Sequence, residues 1–401
     1  MVEQAIAGFA RMPFDKDELY KRYGSEISME AAKGAGAVGA REALKAVSDS
    51  AGLRFDLYSV GKEVKTSSGI VSVEQNAAAD SASAKGAAFE DRLYSYMRSA
   101  GYNIIRIKVP DSASAKLNFL MLNENSGMQN VLLADVGENS SLGLFEWLGS
   151  AQDAVSTHAA INIVNAGAGS SVELSILHNE SDSCDVGALN SITASDNATV
   201  KASTIYNGGR NTKSSTLASA EGQGSSISVN EIVLGNGSQS FDLGAYTLNS
   251  GTRTSTKLRS GAVLNDRALC TLKGYAKVAS GAEGAYSYVE ERGLVMGSGA
   301  RMRPLPDMSI DCRNVAFASH SASAAPIDAE KLFYLMSRGI DEARAKRTFV
   351  AGFLSKYLAN IANDTVKEIA ISVLLDKLDN GRHATVPRIS PQNLWIAPGA
   401  E

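Results

Sequence analysis

The stretch Ala318–Ile340, with the sequence ASHSASAAPIDAEKLFYLMSRGI, separates two parts of the chain that have opposite patterns. The long region before it is rich in glycine, serine and alanine, and its apolar and polar residues alternate as in β-strands. After it, apolar residues recur at the three- and four-residue spacing of amphipathic helices. The stretch therefore predicts a boundary between a β domain and a helical domain. His320, one of only four histidines, lies at that boundary.

Short alternating segments recur between residues 158 and 317, each after a turn that contains glycine, asparagine or serine. Their spacing of roughly 13 to 28 residues is the scale of a coil, or part of a coil, in a β-solenoid. A β-sandwich would also have short strands and glycine turns. The 36 glycines, 8 prolines and 6% aromatic residues favour the narrow aliphatic interior of a solenoid. The segments are Gly169–Ile176, Asn197–Ile205, Gly224–Ile232, Gly237–Leu243, Gly261–Leu264 and Gly281–Ala285.

Three helices are predicted after the boundary. The first is capped near Asp328 and closed by Gly339, and the second begins at Asp341. The third extends over about Thr365–Leu378. The apolar side of the second helix carries Ala345, Phe349, Phe353 and Leu354.

These patterns divide the chain into four parts. We expect a mainly helical N-terminal region over residues 1–100, with a loop between Thr66 and Lys85, and a β core over 101–325. A helical domain over 326–385 and an irregular tail over 386–401 follow. The expected fold class is mainly β, with a mixed N-terminal region and a C-terminal helical domain.

Composition excludes several classes of protein. A net charge of −4 gives no electrostatic case for nucleic-acid binding. No apolar run approaches the roughly 18 residues that span a bilayer, so no membrane segment is predicted. Three widely spaced cysteines and an N-terminus without a secretory signal pattern predict a cytoplasmic protein.

Motifs for chemistry are sparse. Gly34–Gly39 matches the glycine pattern of dinucleotide-binding loops, but the residues before it do not form the hydrophobic strand that such a loop requires. His158 and His178 have no cysteine or carboxylate at metal-ligand spacing in the sequence, so we expect them to be surface or hydrogen-bonded residues. A carbohydrate-active enzyme is a further alternative for a β-solenoid, although the scattered acids and few aromatic residues do not favour it.

One pair of residues has ligand chemistry. Cys312 and His320 lie eight positions apart, with Asp307 and Asp311 nearby. A thiolate and an imidazole suit a soft metal, but a zinc site normally has three or four protein ligands. The alternative is a buried cysteine and a hydrogen-bonded histidine at the end of the sheet.

Two stretches resemble the SufB/SufD family of iron–sulfur cluster assembly proteins. The run from Leu332 to Ile340, LFYLMSRGI, is similar to the family's C-terminal signature helix, and Ser319–Ser323 is similar to its histidine-centred motif. Val131–Ser141 resembles the family's strand and turn leading into the core. The resemblance covers roughly residues 100 to 380.

The resemblance implies a right-handed parallel β-helix and a C-terminal domain that docks an ABC-type ATPase, SufC. It also implies pairing with a second SufB/SufD-type scaffold through the β-helices. On this basis the chain is expected to be a scaffold and not an enzyme. It would bind no cofactor stably, but an iron–sulfur cluster or iron would be gathered transiently at the scaffold interface.

The resemblance also assigns candidate residues. His320 is the candidate cluster ligand, with Cys312 as a weaker one. The cysteines with which SufB-like members accept sulfur have no clear counterpart, since Ser214–Ala218 contains none and Glu290–Arg292 occupies the later position. The chain is therefore SufD-like, with a self-pairing SufB-like scaffold as the alternative. The expected ATPase-contact residues, which helix amphipathicity alone would mostly place in a core, are Leu332, Phe333, Tyr334, Met336, Arg338, Phe349 and Phe353.

Overall fold

Two long sheets form the body of the protein in the computed structural model, which describes residues 56–57, 71–76, 89–123, 127–150 and 155–381. A nine-stranded sheet has the order β1-β4-β6-β8-β10-β12-β14-β16-β19. A ten-stranded sheet has the order β17-β15-β13-β11-β9-β7-β5-β3-β2, with β18 also paired to β15. The strands are β1 Asp56–Leu57, β2 Val71–Asn76, β3 Tyr102–Val109, β4 Ser114–Asn123, β5 Gly127–Val136, β6 Ser141–Ser150, β7 Ser156–Ala166, β8 Ser171–Asn179, β9 Cys184–Ala194, β10 Thr199–Tyr206, β11 Asn211–Ala220, β12 Ser226–Gly235, β13 Ser240–Asn249, β14 Ser255–Leu264, β15 Leu269–Val278, β16 Tyr286–Val295, β17 Arg301–Pro304, β18 Asp307–Ile310 and β19 Phe317–Pro326.

The chain alternates between the two sheets, so that each coil contributes one strand to each of them. Every pairing between coils is parallel, and only β2 pairs with β3 in the antiparallel direction. About seven coils stack in this way. The expected parallel β-helix is confirmed, and the sandwich alternative is wrong because a sandwich is built from antiparallel strands.

One corner of the coil is built in the same way from turn to turn. Successive coils place a residue with positive φ there, which glycine and asparagine adopt most readily. Its backbone N–H donates to a carbonyl oxygen of the next coil, as Asn139 does to Ala168 and Gly169 does to Asp196, both at 2.8 Å. The residues of this corner are Ser112, Asn139, Gly169, Asn197, Gly224, Arg253 and Gly284.

Alternation along each strand separates an interior core from two outer faces. Aliphatic side chains such as Val172, Leu174 and Ile176 of β8 point between the sheets and form the main core. The residues between them on the same strands point outwards, where helices cover them. Small and branched side chains make up most of this narrow core, which also contains Phe119.

Helices cover the outer face of each sheet. The described helices are α1 Phe89–Ala100, α2 Ala329–Ser337, α3 Glu342–Leu358 and α4 Asp364–Asn380. Helix α1 packs Leu93 and Met97 on the ten-stranded sheet. Helices α3 and α4 cover the nine-stranded sheet, where Tyr357 and Val373 join a core with Trp147 of β6. No described helix is long and apolar enough to cross a membrane.

The helix starts and ends agree with the sequence. Asp328, Asp341 and Asn363 accept hydrogen bonds from the first turns of α2, α3 and α4. After α2, Gly339 has a φ of +86°, the conformation expected for a glycine that closes a helix.

Two local predictions were wrong. Gly281–Ala285 was predicted to be a strand but forms the turn before β16, because Ala282 and Ala285 close it through backbone hydrogen bonds. The predicted loop between Thr66 and Lys85 contains β2, which pairs with the first strand of the β-helix. The part of the predicted helical region before residue 50, the Gly34–Gly39 motif and the tail over 386–401 lie outside the described residues.

Because α3 packs closely on the β-helix, adding one methyl group at their contact should affect the stability of the protein. A Cβ atom added at Gly261 of β14 would lie 2.6 Å from the Tyr357 ring, whereas one at Gly143 of β6 would meet its nearest atom, in Lys116, at 3.5 Å. We expect Gly261→Ala to lower the free energy of unfolding by roughly 1–3 kcal/mol through overpacking. Gly143→Ala, on the same sheet, should change it by less than about 1 kcal/mol. Urea denaturation measures both, and equal effects would contradict this account of the α3 contact.

Candidate functional site

The last strand of the β-helix carries the predicted ligand. His320 lies in β19 and is in register with Val289 of β16, whose side chain is part of the interior core. Residues in one register row point to the same face of a sheet, so His320 is on the interior-facing side. Its side chain is nevertheless exposed, because β19 is the final strand of its sheet.

Cys312 occupies a different environment. Its side chain is buried in a small cluster with Val278, Ala282 and Ala285, and its Sγ donates to the carbonyl oxygen of Asn314 at 3.7 Å. Neither Cys312 nor His320 joins a group of three ligand atoms within 4.8 Å in the described part of the chain. Their roles as ligands therefore remain predictions.

A row of buried acids lies behind this end of the β-helix. Glu146, Glu231 and Glu291 occupy one register row of the nine-stranded sheet, together with Ile176 and Ser260. Ile176 belongs to the interior core, so the three carboxyl groups also point between the sheets. All three are at most 1% exposed. In β19 the same row continues to Ala322, two residues from His320.

Burial controls the protonation of these acids. It raises the pKa of Glu146 to about 8, and that of Glu231 and Glu291 to about 7, although each accepts hydrogen bonds. The Ser260 hydroxyl donates to Glu231 at 2.9 Å, and the backbone N–H of Gly274 donates to Glu291. These three carboxyl groups therefore bind and release protons at a pH near 7, well above the pH at which exposed carboxyl groups do so.

The facing sheet supplies a polar partner row. Asn162 hydrogen-bonds to Glu146 and donates to Asn190 at 3.1 Å. Asn190 donates to Thr216 at 3.4 Å, and Thr216 donates to Glu231 at the same distance. A chain of hydrogen bonds inside the β-helix therefore connects Glu146 with Glu231, three coils further along.

A second buried cluster joins two histidines and a glutamate. His158 of β7 and His178 of β8 face each other from the two sheets. Their Nδ1 atoms lie 2.8 and 2.9 Å from the same Oε1 atom of Glu180. Burial alone would raise the pKa of Glu180, but the two histidines outweigh it and hold that pKa at about 2.

The expectation that these histidines lack a carboxylate at ligand spacing was wrong. Glu180 follows His178 by two residues, across the end of β8, and this spacing was a signal in the sequence. The 22-residue separation of Glu180 from His158 gave no comparable signal, because only the coil geometry brings β7 and β8 face to face.

The predicted ATPase-contact residues divide into two groups. Helix α2 buries none of its side chains, and Phe333, Tyr334 and Met336 are exposed. The guanidinium of Arg338 lies 5.2 Å from the centre of the Tyr334 ring. The expectation that helix amphipathicity would place most of these residues in a core was therefore wrong for α2, since α2 packs mainly on α3 and not on the sheet.

The residues on α3 differ from those on α2. Phe349 and Phe353 are half-buried, and Phe353 packs against the core that α3 and α4 form with the sheet. Leu332, on α2, is also half-buried.

The acid row predicts an unusual dependence of stability on pH. Because the pKa of Glu146 is raised in the folded state, folding binds a proton there between about pH 4.5 and 8, and stability falls as pH rises through this range. Glu146→Gln keeps a neutral side chain at every pH. We expect it to raise the free energy of unfolding at about pH 8.5 by roughly 2–4 kcal/mol, with little change near pH 5.

Chemical denaturation at the two pH values measures this difference. The exposed Glu138→Gln is the matched control and should show the wild-type pH dependence. A Glu146→Gln variant that loses stability equally at both pH values would contradict the assignment of a neutral, buried acid.

Comparison with known proteins agrees with this architecture. The SufBD core domain of the SUF system for iron–sulfur cluster assembly matches residues 119–353. An iron–sulfur cluster assembly SufBD family protein of Mycobacterium tuberculosis is 36% identical over 98 residues, which cover 24% of this chain and 25% of that protein. SufD of Bacillus subtilis is 30% identical, with 39% and 36% covered, and SufB of the same organism is 28% identical, with 37% and 32% covered.

The chain thus aligns with a quarter to just over a third of the length of these relatives. The domain match is more extensive and takes in more than half of the chain, from β4 to α3. The chain belongs to the SufBD family of iron–sulfur cluster assembly proteins.

Proposed function

We propose that this chain is a SufD-like scaffold subunit of a cytoplasmic iron–sulfur cluster assembly complex, coupled through its C-terminal helices to an ABC-type ATPase of the SufC kind. In this role the chain is not itself an enzyme. The observation that carries the ATPase proposal is the surface of α2, where Phe333 is 72% exposed and Tyr334 56% exposed. Aromatic residues and arginine dominate the energy of protein interfaces, and α2 adds Arg338 beside them.

The connection between α2 and the β-helix supports coupling. Only Ile327 and Asp328 separate β19 from α2, so a displacement of α2 would reach the strand that carries His320. Helices α3 and α4 are anchored on the nine-stranded sheet and would support α2 from behind.

The edge of β19 is the proposed contact with a second scaffold. Among the described strands, β19 pairs only with β16, which leaves its other edge without a partner. An unpaired edge is a template for pairing with another chain. The partner is either a second copy of this chain or a cysteine-bearing homologue, and the cluster would be gathered between the two scaffolds with His320 as one ligand.

The ATPase contact can be tested by co-purification with the cognate ATPase. We expect Phe333→Asp to weaken binding at least about tenfold, because it places a charge in a desolvated apolar contact. Val155→Asp is the matched control, since Val155 is a similarly exposed apolar residue, 67% exposed, directly before β7. Gel filtration and titration measure the affinity, and a Phe333→Asp variant that binds like Val155→Asp would overturn the assignment.

The ligand role of His320 can be tested by anaerobic reconstitution with iron and sulfide in the presence of the partner scaffold. We expect His320→Ala to lose most of the visible chromophore, because imidazole is a ligand for iron. Ser323→Ala lies in the same strand on the opposite face and should keep the chromophore. An unchanged chromophore in His320→Ala would refute the ligand role without affecting the ATPase contact.

A further inference from the structure

We propose that His158, His178 and Glu180 form a buried binding site for a divalent transition-metal ion such as Fe²⁺ or Zn²⁺. The site is separate from the exposed His320 and does not depend on the proposed partners. It is the only group of three potential ligand residues that the described chain brings within 4.8 Å of one another. All three side chains are at most 1% exposed.

The atoms that would bind the ion already lie close together around one carboxylate oxygen. Each imidazole Nδ1 lies within 2.9 Å of the same Glu180 oxygen, Oε1. In a tetrahedral zinc site with bonds of about 2.0–2.1 Å, neighbouring ligand atoms are about 3.3 Å apart. Moving Oε1 back by about half an ångström would therefore make room for an ion between the three atoms.

Hydrogen bonding leaves the cluster incomplete. The Nε2 atoms of His158 and His178 and the Oε2 atom of Glu180 are buried and have no hydrogen-bond partner. Buried polar atoms without partners are uncommon and costly in proteins. An ion bound through the two Nδ1 atoms and the Glu180 carboxylate would replace two hydrogen bonds to a single oxygen with metal–ligand bonds. It would also give Oε2 a partner if both oxygens of that carboxylate bound it, and the two Nε2 atoms would stay unchanged.

The surroundings suit an ion of this class. Two imidazoles and one carboxylate with remaining open positions are the ligand set of many iron and zinc sites. The Tyr206 ring stacks on His178 at a centroid distance of 5.1 Å, and Leu148 is next to His178 in the register row on the other side. Such an apolar shell restricts the orientation of the imidazole and excludes water.

The backbone around Glu180 is held by the next coil. Asn207 and Gly208 donate to the carbonyl oxygen of His178 at 2.8 and 3.1 Å. A Cβ atom at Gly208 would lie 1.9 Å from the Glu180 carbonyl oxygen, so glycine is required for this close approach. Metal sites depend on such rigid support, because loose ligands do not select an ion.

Helix α4 reinforces the same corner. The buried Lys377 donates to the carbonyl oxygen of Asn207 and, at 2.8 Å, to Gln239. Gln239 in turn donates to Asp182, two residues from Glu180, at 3.0 Å. The loop that supplies the carboxylate is therefore linked to the C-terminal helices.

Cobalt is the probe for this site. The full-length protein is produced in minimal medium with added Co²⁺, since a buried site is best loaded during folding, and is then separated from free metal. We expect about one cobalt ion per chain, with the visible absorption of a low-symmetry site. Glu180→Gln, which keeps the size of the side chain, and His158→Gln should each lower retention at least about tenfold.

Glu138→Gln is the matched control, because it makes the same substitution at an exposed carboxylate and should retain cobalt like the wild type. The site is overturned if the wild-type protein retains no cobalt, or if Glu180→Gln retains as much as the wild type. Where a variant fails to fold, zinc X-ray absorption on the wild-type protein decides instead. Two imidazoles with oxygen neighbours support the site, and a sulfur neighbour or no bound zinc refutes it.

Discussion

The parallel stacking of coils is the constraint on which the rest of the structure depends. Each strand hydrogen-bonds to the strand one coil away, so a residue has its counterpart about one coil later in the same row and on the same face. A side chain that is buried in one coil therefore lies between two others of the same row. This register explains why three separate glutamates, far apart in the sequence, come to share one interior row.

Because the register buries whole rows of side chains, a polar residue in an interior row is removed from water, which costs free energy. An isolated buried carboxylate would be strongly destabilising, and such groups either become protonated or acquire partners. The interior uses both solutions. Burial raises the pKa of Glu146 to about 8, whereas two histidines lower that of Glu180 to about 2. Because the two sheets face each other, Asn162 reaches Glu146 and His158 reaches Glu180 from the facing sheet, whereas His178 precedes Glu180 by only two residues.

This difference also explains what the sequence could predict. Periodicity and turn residues favoured a β-solenoid and predicted the three C-terminal helices, with a cap near Asp328 and a closing glycine at Gly339, since these depend on local patterns. Contacts between the sheets could not be predicted, because they depend on coil lengths that vary from 26 to 32 residues. The cluster of His158 and Glu180 was missed for this reason. Periodicity also overestimated the burial of α2. An amphipathic pattern shows that one face of a helix is apolar, but it does not show whether another part of the protein covers that face.

The C-terminal helices differ in how firmly the β-helix holds them. Helix α3 is fixed by the Tyr357 ring against Gly261 and by the ion pair of Lys356 with Glu290, whose side chain is 1% exposed. Helix α4 inserts the fully buried Lys377 between backbone carbonyl groups of two coils. In α2 no side chain is buried.

Among the described helices, α2 is therefore the one that the β-helix holds least. On one side it is joined to α3 through Gly339, whose φ of +86° and open surroundings suit a hinge. On the other side it is joined directly to β19, which is held by a single neighbouring strand. A partner that bound the aromatic face of α2 would consequently transmit its motion to β19, the strand on which His320 lies, while the coils behind that strand stayed in register.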